Sequence, residues 1–170
     1  MAESIIDYGG FVRQKLTSTP PVGITRDVDL IAGLFPHQVA LVRWSLRRGR
    51  SAIFADTGLG KTRMQVAWAD VVTRETGGDI LILAPLAVAQ QTVAEAADCG
   101  VSINHAHDAA DVKPGINITN YDRLHRFDAS RFVGVVLDES SVIKHHTSKT
   151  LQALLDAFRT TPYRLCSQLR

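Results

Sequence analysis

The chain has 170 residues, 45% of them hydrophobic and 21% charged, with a formal net charge of +2. At this length a folded chain buries roughly 70% of its extended surface, enough for one soluble domain with its own core. No apolar run approaches the roughly 20 residues that span a bilayer, so no membrane partner is expected, and so small a net charge carries no bulk argument for nucleic acid.

Residues 1–29 read as an N-terminal arm, in which Gly9, Gly10, Pro20, Pro21 and Gly23 allow a short helix at most, around Ile6 to Leu16. Asp7, Arg13 and Lys15 interrupt its apolar residues, so it lacks the h-region of a secretory signal and cytoplasmic residence is expected. Leu34-Phe35-Pro36 reads as a break before a helix from His37 to Arg48, whose Val39, Val42 and Leu46 recur at helical spacing. Arg43, Arg47, Arg48 and Arg50 gather near its end, where they suit the helix dipole or could contact phosphate. The apolar run Ser51 to Phe54 then reads as a strand, and Met64, Ala67, Trp68, Val71 and Val72 form one face of a helix that stops at Gly77-Gly78. Ile80 to Leu83 is apolar throughout, as a strand buried on both faces is. A helix over Leu86 to Ala97, short strands at Val101 to Ile103 and Ile116 to Thr119, and a buried strand at Val133 to Leu137 follow. Thr147 or Ser148 can cap a helix carrying Leu151, Leu154, Leu155 and Phe158, and Tyr163 to Cys166 begins a last strand. This βαβα alternation predicts an α/β fold, a mostly parallel sheet with helices on both faces.

Between the first strand and its helix lies Ala55-Asp56-Thr57-Gly58-Leu59-Gly60-Lys61-Thr62. Strand, glycine loop and helix in that order make a phosphate cradle: the N–H groups of Gly58, Gly60 and Lys61 can converge on phosphate oxygens, Lys61 adds a point charge, and Thr62 can ligate Mg²⁺. A strict pattern has glycine where Ala55 stands. Much later, Val135-Val136-Leu137 delivers Asp138 and Glu139 at a strand's C-terminal end, where open parallel sheets bind ligands. There Asp138 would approach the Mg²⁺ of Thr62, and Glu139 could orient or deprotonate an attacking water. Cys99 and Cys166 have neither metal-ligand nor disulfide spacing and read as ordinary buried thiols, and His105, His107, His145 and His146 form no metal-binding face.

These motifs resemble, in order, those of the first motor lobe of superfamily-2 helicases and translocases, especially Swi/Snf-like helicases of bacteriophages and prophages. Leu34-Phe35-Pro36-His37-Gln38 resembles the adenine-reading Q motif, Ala55 to Thr62 motif I, Leu83-Ala84-Pro85-Leu86 motif Ia, Thr119 to Leu124 motif Ib, and Leu137 to Lys144 motif II. The resemblance implies a P-loop NTPase with a RecA-like lobe over residues 30–170 and ATP and Mg²⁺ as cofactors. Phe35, Gln38, Thr57, Gly58, Leu59, Gly60, Lys61 and Thr62 would bind the nucleotide, with Gln38 on the adenine. Thr62 and Asp138 would serve the metal, with Lys61 and Glu139 as catalytic residues. Pro85, Leu86, Thr119, Asn120, Tyr121 and Arg123 would track the phosphates of single- or double-stranded DNA, without base specificity. Ser140-Ser141 stands where many relatives have Ala-His or Ala-Asp, so a histidine that couples ATP state to a neighbouring motif is missing.

Members of this group continue through motif III into a second lobe that completes the ATP cleft and supplies arginine fingers, worth about 10³ to 10⁵ in rate. Residues 1–170 hold no such lobe, so the chain alone is expected to bind nucleotide weakly and hydrolyse it hardly at all unless a second lobe acts in trans. The competing expectation is a non-enzymatic truncated-helicase module or decoy that occupies nucleic acid or a protein partner. A small-molecule P-loop kinase fits less well, for no segment offers an arginine-bearing lid.

Overall fold

The computed structural model describes residues 21–56, 58–138 and 148–168, the side chains of 148–151 and 168 excepted. In chain order the regular elements are α1 (Pro36–Arg48), β1 (Arg50–Phe54), α2 (Lys61–Thr76), β2 (Asp79–Ala84), α3 (Leu86–Asp98), β3 (Ile103–His105), β4 (Ile116–Asn120), β5 (Phe132–Leu137), α4 (Ser148–Ala157) and β6 (Tyr163–Gln168). The strands form a six-stranded sheet in the order β1-β6-β5-β2-β4-β3, and every neighbouring pair is parallel. The N-terminal helix expected around Ile6 to Leu16 lies outside the described residues.

Alternation along β2 explains why helices cover both faces. Ile80, Ile82 and Ala84 share a core with Val66, Ala67, Trp68, Val71 and Val72 of α2 and with Ala89 and Ala96 of α3. Leu81 and Leu83 point the other way, into a second core with Phe132, Val135, Tyr121 and, from α4 and its exit, Leu154 and Phe158. A strand with apolar residues at both parities has to be covered twice.

Pro36 starts α1 instead of stopping the chain before it: a proline fits the first helical position, where its fixed φ is preset and its missing N–H is no loss. Positive-φ Gly49 and Gly77 end α1 and α2. β3 begins two residues later than its expected start at Val101, because the Val101 N–H is taken by the Ala96 carbonyl at 2.9 Å as the chain leaves α3. Three 3₁₀ turns were not expected, and each follows an Asx cap: Asp108 accepts from Ala110 N–H, Asn120 from Arg123 N–H and Asp128 from Ser130 N–H. The two cysteines are free and half-buried, less enclosed than expected, and burial pushes the Cys166 thiol up.

The segment before α1 packs on the core through Ile24, Val28, Leu30, Ile31 and Leu34. Gly23 is needed where it crosses the end of α1, since a Cβ there would overlap the Leu46 carbonyl and the Gly49 backbone. Arg26 pairs with Glu75, and Arg74 donates to the Asp29 carbonyl at 2.7 Å. In the arginine cluster, Arg43 pairs with Asp27 at 3.1 Å and Arg50 Nε donates to the Pro162 carbonyl at 3.4 Å, while Arg47 and Arg48 close the last turn of α1.

Candidate nucleotide-binding site

The C-terminal ends of the strands share one edge of the sheet. In register, Leu83 stands beside Leu137 and Thr119, and Leu137 beside Cys166, so the C-terminal ends of β2, β4, β5 and β6 lie side by side. The glycine loop that leaves β1 opens onto this same edge and runs into α2.

Gly58 and Gly60 have φ of 81° and 71°, a left-handed backbone that glycine adopts without a Cβ penalty. Gly60 is the N-cap of α2 and offers no side chain to the helix's first N–H groups, and no acidic residue stands in the first turn. The first intrahelical bond runs from Met64 N–H to Gly60 O at 3.2 Å, so the amides of Lys61, Thr62 and Arg63 precede the ladder. This is the positive end of a 16-residue helix, disposed to meet an anion. Lys61 Nζ donates to the Ala55 carbonyl across the loop at 3.1 Å. A lysine held by a lone neutral carbonyl can be transferred to a phosphate oxygen, a stronger partner.

Gln38 ties α1 to the loop. Its side chain is buried, donates through Nε2 to the Leu59 carbonyl at 2.9 Å, and accepts at Oε1 from Phe35 N–H at 2.9 Å. One amide hydrogen and one oxygen lone pair remain beyond those two bonds. A Cβ on Gly60 would overlap Gln38 Nε2, so the glycine also permits this close approach. Phe35 is largely exposed and stacks on His37, with centroids 5.9 Å apart and planes 8° from parallel.

Asp138 is buried and pinned from several elements. Its N–H donates to the Leu83 carbonyl at 2.8 Å, its own carbonyl accepts from Tyr121 Oη at 2.7 Å, and Oδ1 accepts from Gln65 Nε2 at 2.6 Å. Gln65 lies on α2, three residues after Thr62, so this bond joins the cradle to the carboxylate across 73 residues of sequence. Sequence reasoning missed Gln65; its signal is an amide inside the otherwise apolar run Met64 to Ala69. Glu139 and Thr57 lie outside the described residues. An acid, a hydroxyl at a helix start, a lysine and a glycine loop with left-handed Gly58 and Gly60 form a donor set suited to a magnesium-bound polyphosphate.

The residues expected to face nucleic acid sit next to this set but differ in exposure. Thr119, Asn120 and Tyr121 are buried, Asn120 caps the following 3₁₀ turn, and Tyr121 Oη is committed to Asp138. Leu86 is 62% exposed at the start of α3, beside half-buried Pro85. Half-buried Arg123 contacts His107 Nδ1, and the His107 ring lies against His105 with centroids 4.8 Å apart. Burial, then the neighbouring His107 and Arg123, hold the His105 imidazole below its ordinary value.

The arrangement is that of a RecA-like lobe, and solved helicase structures share it. The UvsW helicase from bacteriophage T4 superposes with a TM-score of 0.69 at 15% identity, over 92% of this chain and 58% of that one. The Sulfolobus solfataricus SWI2/SNF2 ATPase core, solved in complex with dsDNA, gives 0.69 at 22% identity, over 85% and 34%. A hypothetical ATP-dependent RNA helicase from Sulfolobus tokodaii gives 0.59 at 16%, over 80% and 46%. Likeness at these identities establishes the α/β RecA-like fold, and the chain spans from about a third to under two thirds of those structures' lengths. No protein-family model matches the sequence, and no curated relative matches it.

Proposed function

We propose that this chain is the ATP-binding first motor lobe of a superfamily-2 DNA helicase or translocase. The observation that carries the reading is the hydrogen bond from Gln65 to Asp138, which brings the end of the glycine loop and the acid of the apolar strand onto one edge of a RecA-like sheet. Lys61 exchanges the Ala55 carbonyl for a phosphate oxygen, and the amides at the start of α2 receive the remaining phosphate charge. Gln38 offers adenine its remaining donor and acceptor, the bidentate pattern that suits that base, with Phe35 as an apolar neighbour. Thr62 and Asp138 hold Mg²⁺, which when bound neutralises charge on the phosphates. Glu139 is the base that orients water. A second RecA-like lobe, in the same polypeptide or in trans, supplies the other wall.

Leu86, Pro85 and Arg123 are the contacts offered to a DNA backbone, with Thr119, Asn120 and Tyr121 shaping the turn beneath them. The fold shared with a core solved on dsDNA supports this choice of polymer.

ATP turnover by residues 1–170, with and without DNA and with an added second lobe, tests the proposal. Expected is Mg²⁺-dependent nucleotide binding with turnover about 10³-fold or more below that of the two lobes together. Helicase-rate hydrolysis by these residues alone, abolished by Glu139→Gln, would refute the one-lobe part, and absence of nucleotide binding would refute the whole.

A further inference from the structure

Gln65 is 1% exposed, and its two amide atoms are in unequal positions. Nε2 faces Asp138 Oδ1 at 2.6 Å, while Oε1 is buried with no hydrogen-bond partner among the described residues. The amide turns its N–H₂ towards the carboxylate oxygen, which accepts. The carbonyl of the same amide is left to take a donor of its own. A buried amide oxygen without a donor costs stability unless a bound group supplies one. Thr62, one turn earlier on the same helix, and Asp138 are the proposed metal ligands, and Mg²⁺ keeps several waters when protein side chains bind it. Those waters are obligatory donors.

We propose that Gln65 is a positioning residue for the hydrated divalent cation: its Nε2 fixes the Asp138 carboxylate, and its Oε1 accepts a hydrogen bond from a metal-bound water. The inference rests on the nucleotide reading above and adds a residue to it. It makes Gln65 a determinant of metal dependence and not of nucleotide affinity as such. Partners of this kind change metal affinity about 10- to 100-fold when removed.

The test uses residues 1–170 and a fluorescent ATP analogue, titrated in Mg²⁺ and again in EDTA, for wild type and Gln65→Met, which keeps the volume and removes both polar atoms. Expected is an apparent Mg²⁺ affinity about 10- to 100-fold weaker in the variant, with affinity in EDTA unchanged. Gln65→Asn withdraws the amide by one methylene and gives the same pattern, and it decides the matter should the Met variant not fold. A variant that keeps the full Mg²⁺-dependent gain, or one that loses affinity equally in Mg²⁺ and EDTA, overturns the role of Gln65 while leaving the nucleotide site intact. Wild type that binds no nucleotide in either condition overturns both.

Discussion

The Gln38 side chain donates to the Leu59 carbonyl at 2.9 Å, which ties the glycine loop to the first turn of α1. Gly60 lies directly against that amide and is left-handed, so two different penalties meet at one position. Gly60→Ala is expected to cost about 1–2 kcal/mol in backbone strain and to displace Gln38 as well. Gly77→Ala carries the strain alone, since nothing lies within 4 Å of its added Cβ. Thermal unfolding should therefore show a smaller loss for Gly77→Ala, and titration with an ATP analogue should show weakened binding only for Gly60→Ala. Equal nucleotide affinities for the two variants would disprove a special role for the contact.

Tyr121→Phe removes the hydroxyl that donates to the Asp138 carbonyl at 2.7 Å, a buried hydrogen bond between two elements. A loss of about 0.5–1.5 kcal/mol follows, with Tm falling about 2–4 °C for each kcal/mol at this chain length. Calorimetry checks it, and an unchanged Tm would mean that the bond adds nothing to the Asp138 platform.

His105 makes stability pH-dependent with a definite sign. Its folded-state value is depressed by burial and by the facing His107 and Arg123, with Asp111 bonded to the His107 N–H as the nearby counter-charge. As pH falls through about 6.5 the unfolded chain takes up the proton first, so stability declines from there until the folded-state value is passed. Circular-dichroism melts from pH 7.5 to 5.5 should show a steeper fall for wild type than for His105→Gln. Parallel curves would remove His105 from the account.

Arg123→Ala should lower the salt slope of DNA binding by about one, the signature of a lost phosphate contact. Arg131, paired with Asp79 at 3.1 Å just before β5 and so at the opposite edge of the sheet, provides the control. Fluorescence anisotropy against KCl concentration distinguishes them, and identical slopes for the two variants would place DNA elsewhere.

The fold was legible where apolar spacing is unambiguous. β2 reads as doubly covered because both parities are apolar, and helical spacing picks out Met64, Ala67, Trp68, Val71 and Val72 as buried on α2, though not Gln65, Val66 and Ala69, which are buried as well. Less was legible where hydrogen bonds to particular partners decide the outcome. Val101 has strand propensity, yet its N–H belongs to the exit of α3. The 3₁₀ turns depend on Asx side chains that bond within two or three residues, a local pattern that apolar periodicity does not register. In the candidate site the glycine loop and Asp138 announce themselves by residue type and context. The polar side chains that hold them do not: Gln65 and Tyr121 become informative only when their partners on other elements are known.

Lys61 is the residue on which the central claim turns, because its ammonium is held at 3.1 Å by the Ala55 carbonyl of the loop it is proposed to serve. A hydrogen bond from a charged donor contributes about 1.5–3 kcal/mol, roughly 10- to 100-fold in affinity. Titration of wild type and Lys61→Ala with an ATP analogue in Mg²⁺, with matched melting curves, is the most direct measurement. The account predicts saturable binding by wild type and binding at least about tenfold weaker by the variant at an unchanged fold. Equal affinities, or wild type that binds no nucleotide, would contradict it.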